Sequence, residues 1–171
     1  MSNTRLSLAA AAAVAAAALS CGGREAPTAV PFANDVWGIK LEYPADWEAS
    51  AGEGAAALIL EVRAPRGTKT AGAGVSVVGA LSGAPLEVAA SSLERKIAGA
   101  RGVVAADVAV GGRPGRAFEY WATRDGERVW TRALVVRGNA RYYFITFAAY
   151  EGQREAARPY FDAVERSVEI Y

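Results

Sequence analysis

Apolar and polar positions alternate in short runs along most of the chain, the period expected of strands with one buried face. Between Trp37 and Tyr43, the residues Ile39, Leu41 and Tyr43 alternate with Gly38, Lys40 and Glu42, and Pro44 ends the run. Trp47 opens another short extended piece. Further strands are predicted at Ala57 to Val62, Val75 to Ala80 and Val103 to Val110, short segments rich in valine or isoleucine and set off by glycine or proline. After Pro85 the period changes. Leu86, Ala89, Ala90, Leu93, Ile97 and Ala100 recur at helical spacing opposite Glu87, Ser91, Glu94 and Arg95, which predicts an amphipathic helix. A second helix is predicted from about Gly152 to Val168, with Ala157, Phe161, Val164 and Val168 on one side; Pro159 implies a kink or a start within it.

The stretch after Gly112 is the best specified, because Asp125-Gly126 and Gly138-Asn139 are both good two-residue hairpin turns between alternating runs. A three-strand meander follows. With those dipeptides as turn centres, Glu119 faces Arg132 and Arg132 faces Ile145. One step along the same face, Trp121 faces Trp130 and Trp130 faces Phe147. The opposite face carries Phe118, Ala133 and Phe144, then Tyr120, Thr131 and Thr146. Both faces are substantially apolar, so each needs a covering layer. The fold class expected is therefore α+β, an antiparallel sheet of about six to seven strands sandwiched by helices.

The N-terminus has a different character. Met1 to Arg5 is a short basic start, Leu6 to Leu19 is small and apolar apart from Ser7, and Ala18-Leu19-Ser20-Cys21 fits the lipobox of a bacterial lipoprotein. Cleavage after Ser20 would leave Cys21 as an acylated N-terminus, anchored by several acyl chains at about 0.8 kcal/mol per buried CH₂. The apolar run is shorter than the roughly 20 residues a membrane span needs. Residues 21–31 then read as the acylated cysteine and a tether reaching about 30 Å, with the folded domain at residues 32–171.

Composition narrows the chemistry. The chain has 19 Lys and Arg against 18 Asp and Glu, no histidine and one cysteine. Balanced charge gives no field that points to nucleic acid. Without histidine or a second cysteine there is no disulfide framework, no imidazole metal site and no histidine-based catalysis.

The order of elements and several local phrases resemble the PsbP-like family, whose fold is shared with Ran-binding Mog-type import factors and with many small bacterial lipoproteins. The resemblance rests on Trp37-Gly38-Ile39-Lys40-Leu41-Glu42-Tyr43-Pro44-Ala45-Asp46-Trp47 and on Gly112-Arg113-Pro114-Gly115-Arg116-Ala117 entering a strand. Arg141-Tyr142-Tyr143-Phe144-Ile145-Thr146-Phe147 as the late strand, and Tyr160-Phe161 to Ser167-Val168 in the closing helix, complete it. It implies the PsbP-like αβα sandwich and an accessory role, such as stabilising a photosynthetic complex, binding a small GTPase or serving the envelope. It implies no reaction. Metal-related behaviour of photosynthetic members involves histidine, which this chain lacks, so no cofactor or metal site is carried over.

Among residues that could do chemistry, Trp121, Trp130 and Phe147 form an aromatic row with the pair Glu119 and Arg132 beside it, the composition used by interface hot spots. The alternative for that row is core under a helix. Glu42, Asp46, Glu48, Glu53 and Glu61 lack the spacing of a calcium loop. Gly111 to Gly115 leads into a strand where a phosphate loop needs a helix, and Ser91 and Ser92 have no base or nucleophile elbow around them. The expectation is a non-enzymatic, periplasm-facing lipoprotein that binds a partner as an accessory subunit of the envelope. A small apolar ligand held beside Trp121 and Trp130 is the alternative. Gly22 after the cysteine, in place of aspartate, favours the outer membrane in a Gram-negative host.

Overall fold

The structure is a computed structural model that describes residues 28–52 and 57–171. Cys21 and the residues before it lie outside the described residues, as does Glu53. The elements in chain order are β1 (Ala29–Asn34), β2 (Ile39–Pro44), β3 (Glu48–Ala51), β4 (Leu58–Arg63), β5 (Gly74–Leu81), α1 (Leu86–Lys96) and β6 (Arg101–Val110). They continue with β7 (Arg113–Arg124), β8 (Glu127–Arg137), β9 (Arg141–Tyr150), a 3₁₀ turn at Glu151–Gln153, α2 (Arg154–Ser167) and β10 (Glu169–Ile170).

Seven strands form one antiparallel sheet in the order β3-β4-β5-β9-β8-β7-β6, and β1-β2-β10 form a second, smaller one. The fold is α+β. The meander occupies the middle and one flank of the large sheet. β8 has both faces covered, and Val129 to Val136 are buried apart from half-buried Arg132.

Each face has its own cover. On one, Ala90 of α1 and Ile97 at its C-terminal cap pack on Phe118, Val135 and Tyr142. On the other, Ala157, Phe161 and Val164 of α2, with Ile39 and Leu41 of β2, close over Val77, Leu134, Ile145 and Phe147. The small sheet approaches closely where the Trp37 ring lies on Gly79, since a Cβ there would come within 2.4 Å of the indole. Trp47 is buried, with its backbone N–H donating to the Pro44 carbonyl at 3.0 Å and its ring stacked on Tyr160 at 5.6 Å.

Several boundaries differ from the sequence reading. Ala29 to Pro31, assigned to the tether, are the start of β1, where every residue from Ala29 to Asn34 has a partner on β2. Pro31 is tolerated because β1 is an edge strand, where a missing N–H costs no ladder bond. β10 is two residues long and gives no periodic signal. The first helix stops at Lys96, with Ile97 at its cap, rather than running on to Ala100. The second begins at Arg154 and contains Pro159 in its interior.

Candidate functional site

The site is built on the meander, so register decides what meets what. The β7–β8 hairpin places Trp121 opposite Trp130 and Glu119 opposite Arg132, as Asp125-Gly126 predicts. The β8–β9 pairing is two residues away from expectation. Phe147 faces Arg132, and Trp130 faces Ala149. The Gly138 N–H donates to the Arg141 carbonyl at 2.9 Å, so the turn centres on Asn139-Ala140, with Ala140 at φ 52°. A shift of two preserves which residues share a face, so the aromatic residues and Arg132 still lie together.

Arg132 is the organising side chain. It donates from Nε and Nη2 to the two carboxylate oxygens of Glu165 at 2.9 and 2.8 Å, and from Nη1 to Glu119 at 2.8 Å. This is a bidentate fork plus one further charge-assisted bond, joining β7, β8 and α2. The hydrogen bond to Glu165 does most to raise the Arg132 pKa, against a smaller opposing effect of burial. Glu165 escaped the sequence reading. Its signal is its place four residues after Phe161, at the margin of the apolar stripe of α2.

Of the aromatic row, Phe147 is fully buried and Trp130 is 7% exposed, both as core under α2. Phe161 stacks on Trp130 at 6.1 Å and tilts against Phe147 at 5.4 Å. Phe147 is therefore withdrawn from a surface that a macromolecule could contact, and Trp130 keeps only a narrow exposed edge. Trp121 remains half-exposed. Arg128 lies over its ring at 4.5 Å, and the Arg154 guanidinium reaches both Trp121, at 5.8 Å, and Trp130, at 5.1 Å.

Between α2 and the meander runs a solvent-open groove of about 420 Å³, with Trp130 and Phe161 at its floor and Arg132, Arg154, Arg158 and Asp162 among its walls. Arg154, Arg158 and Asp162 follow one another at four-residue spacing on α2, a charged stripe legible in sequence but not singled out there. Arg132 has three of its nitrogens engaged by carboxylates, so the charged groups offered outward are chiefly those of exposed Arg158, Asp162 and Arg166. The lining holds no hydroxyl, thiol or imidazole. Among the described residues, no three carboxylates converge to hold a metal ion.

No family model matches the chain, and no curated protein matches it. Its likenesses are to solved structures. The solution structure of cyanobacterial PsbP (CyanoP) from Synechocystis sp. PCC 6803 aligns at TM-score 0.60 and 16% identity, over 89% of this chain and 98% of that one. LpqN, involved in cell envelope biogenesis of Mycobacterium tuberculosis, aligns at 0.56 and 11%, over 85% and 87%. A crystal structure from Bacteroides thetaiotaomicron VPI-5482 aligns at 0.58 and 14%, over 82% of this chain and 48% of that one. The fold is PsbP-like.

Proposed function

We propose that the chain is a lipid-anchored, periplasm-facing lipoprotein of the cell envelope that acts as a non-catalytic accessory subunit, binding a protein partner through the groove beside α2. The observation that carries this reading is the groove itself. It is open, with an aromatic floor and charges of both signs on rigid elements, and its lining holds no hydroxyl, thiol or imidazole. Shallow sites with such a rim suit a polar protein surface better than a reacting small molecule. The lipobox at Cys21 supports anchoring, and the role of LpqN in envelope biogenesis supports the compartment. The other expectation, an apolar ligand beside Trp121 and Trp130, loses support because Phe161 fills the space against Trp130 and Phe147.

The test is to purify the acylated chain from its own membranes after mild crosslinking, with Cys21→Ser as the unanchored control and Arg158→Glu/Asp162→Arg as the altered groove. A protein recovered reproducibly with the parent chain and lost from both variants is the expected result. A chain that emerges alone with a bound small molecule would overturn partner binding. Failure to take up a clickable fatty acid would remove the anchor.

A further inference from the structure

The chain is neutral overall to within one charge, yet one concavity gathers cations with no carboxylate in its lining. At the corner where α1 ends and the β7–β8 hairpin turns, a second concavity of about 510 Å³ has Lys96, Arg101 and Arg128 as its charged lining and no carboxylate. Its walls include Tyr120 and Trp121. Arg128 is shared with Glu151 at 2.6 Å. Among the described residues, Lys96 and Arg101 have no carboxylate within salt-bridge distance.

Beside these cations the backbone presents apolar side chains. The β6–β7 register shifts between Arg101 and Val104, and Gly102 sits at φ 63°, so β6 is bulged there. Val103 and Val104 are 39% and 64% exposed. Cations, a half-exposed indole and exposed valines in one place are the chemistry of a membrane interface, where rings and short aliphatic chains sit at headgroup depth and Lys and Arg meet phosphate.

The position of the patch agrees with this chemistry. Across the sheet, Arg101 faces Trp121, Trp121 faces Trp130 and Trp130 faces Ala149. The next residues along, Ala148, Gly74, Arg63 and Glu48, continue that row to β3. Trp47 bonds back to Pro44, and Pro44 faces Ala29. The chain therefore enters β1 at the same end of the molecule as the patch. Cys21 lies seven residues before Thr28, a reach of about 25 Å.

We propose that this end of the molecule docks on an anionic phospholipid bilayer, with Lys96, Arg101 and Arg128 at the phosphates and Trp121, Val103 and Val104 at the interface. The argument from position rests on the anchoring reading above, whereas the arguments from charge and exposed apolar groups do not. The test accordingly uses the Cys21→Ser chain, so that its failure is separate from a failure of acylation. Its binding would be measured on vesicles of phosphatidylcholine with and without phosphatidylglycerol, beside Cys21→Ser chains also carrying Lys96→Glu/Arg101→Glu or Lys96→Gln/Arg101→Gln. The leader is common to all three, so differences among them read the patch.

The expected result is binding to phosphatidylglycerol vesicles that falls with salt and is weakened about tenfold or more by the glutamate pair, and less by the glutamine pair. Because Trp37, Trp47 and Trp130 are buried, the indole open to acrylamide is that of Trp121, and docking should shield it. Equal binding to both vesicles, retained binding by both folded variants, or an unshielded Trp121 would overturn the proposal. Displacement by inorganic phosphate would reassign the concavity to a soluble anion. An acidic protein captured by a chain that ignores the vesicles would reassign it to a protein surface.

Discussion

Arg132 joins parts of the chain that are distant in sequence, with Glu119 beside it on the sheet and Glu165 above it on α2. The side chains of Arg132 and Glu165 are 22% and 24% exposed, between the regime of surface pairs worth under about 1 kcal/mol and that of buried pairs whose breakage costs about 3–5 kcal/mol. Removing the guanidinium leaves two partly desolvated carboxylates side by side. Arg132→Ala should therefore cost about 2–3 kcal/mol in urea unfolding, with the slope unchanged. Glu165→Gln should cost more than Glu119→Gln, because Glu165 accepts two bonds and Glu119, at 39% exposure, accepts one. A double-mutant cycle between Arg132 and Glu165 checks the pair directly. Coupling indistinguishable from zero would mean that packing alone holds α2 at this point.

Packing does carry α2 along the rest of its length. Phe161 contacts Trp47 edge-on at 6.1 Å, Trp130 and Phe147, so a single side chain ties the loop before β3 and the strands β8 and β9 to the helix. Phe161→Ala should cost about 3–5 kcal/mol and raise acrylamide quenching of Trp47 and Trp130; a loss below about 1 kcal/mol would place the helix's attachment elsewhere. The stripe Ala157, Phe161, Val164, Val168 was legible because a helix repeats its buried face, and the long meander was legible for the same reason with the period of a strand. What escaped were features whose cause lies outside the element. Gly138 reads as a turn residue, but its bareness answers to Tyr143, whose ring a Cβ would meet at 2.8 Å, and the turn itself falls on Asn139-Ala140. Misplacing that centre moved Phe147 from Arg132 to Trp130. β1 and β10 were invisible because their pairing with β2 is long-range and no local pattern records it. Glu165, Arg154 and Arg158 lay in a helix face that reads as solvated until the sheet beneath it is placed.

At the scale of the whole molecule, an open seven-stranded sheet must manage two edges. β3 is four residues long and offers little ladder to a stranger. β6 is ten residues long, exposed from Arg101 to Asp107, and holds Val103, Val104, Ala105 and Ala106 in a row, a composition that invites a second strand. Its protection is local. Gly102 at φ 63° introduces the bulge that breaks the register before Val104, while Arg101 and Asp107 put opposite charges along the same edge. Gly102→Val attacks that protection in two ways. A β-branched residue at positive φ costs about 1–3 kcal/mol if the bulge is kept, and relaxing into regular extended backbone removes the cost by straightening the edge. The strained alternative favours the straight edge, and the straight edge is a longer unbroken ladder for a second copy. The variant should therefore sediment as larger species than the parent chain at equal concentration. Adding Val104→Lys, which sets a charge at the middle of the new edge, should return it to the parent's behaviour. A Gly102→Val chain that is destabilised yet sediments as the parent does would mean that the bulge serves the placing of Arg101 against Trp121 and not the guarding of the edge.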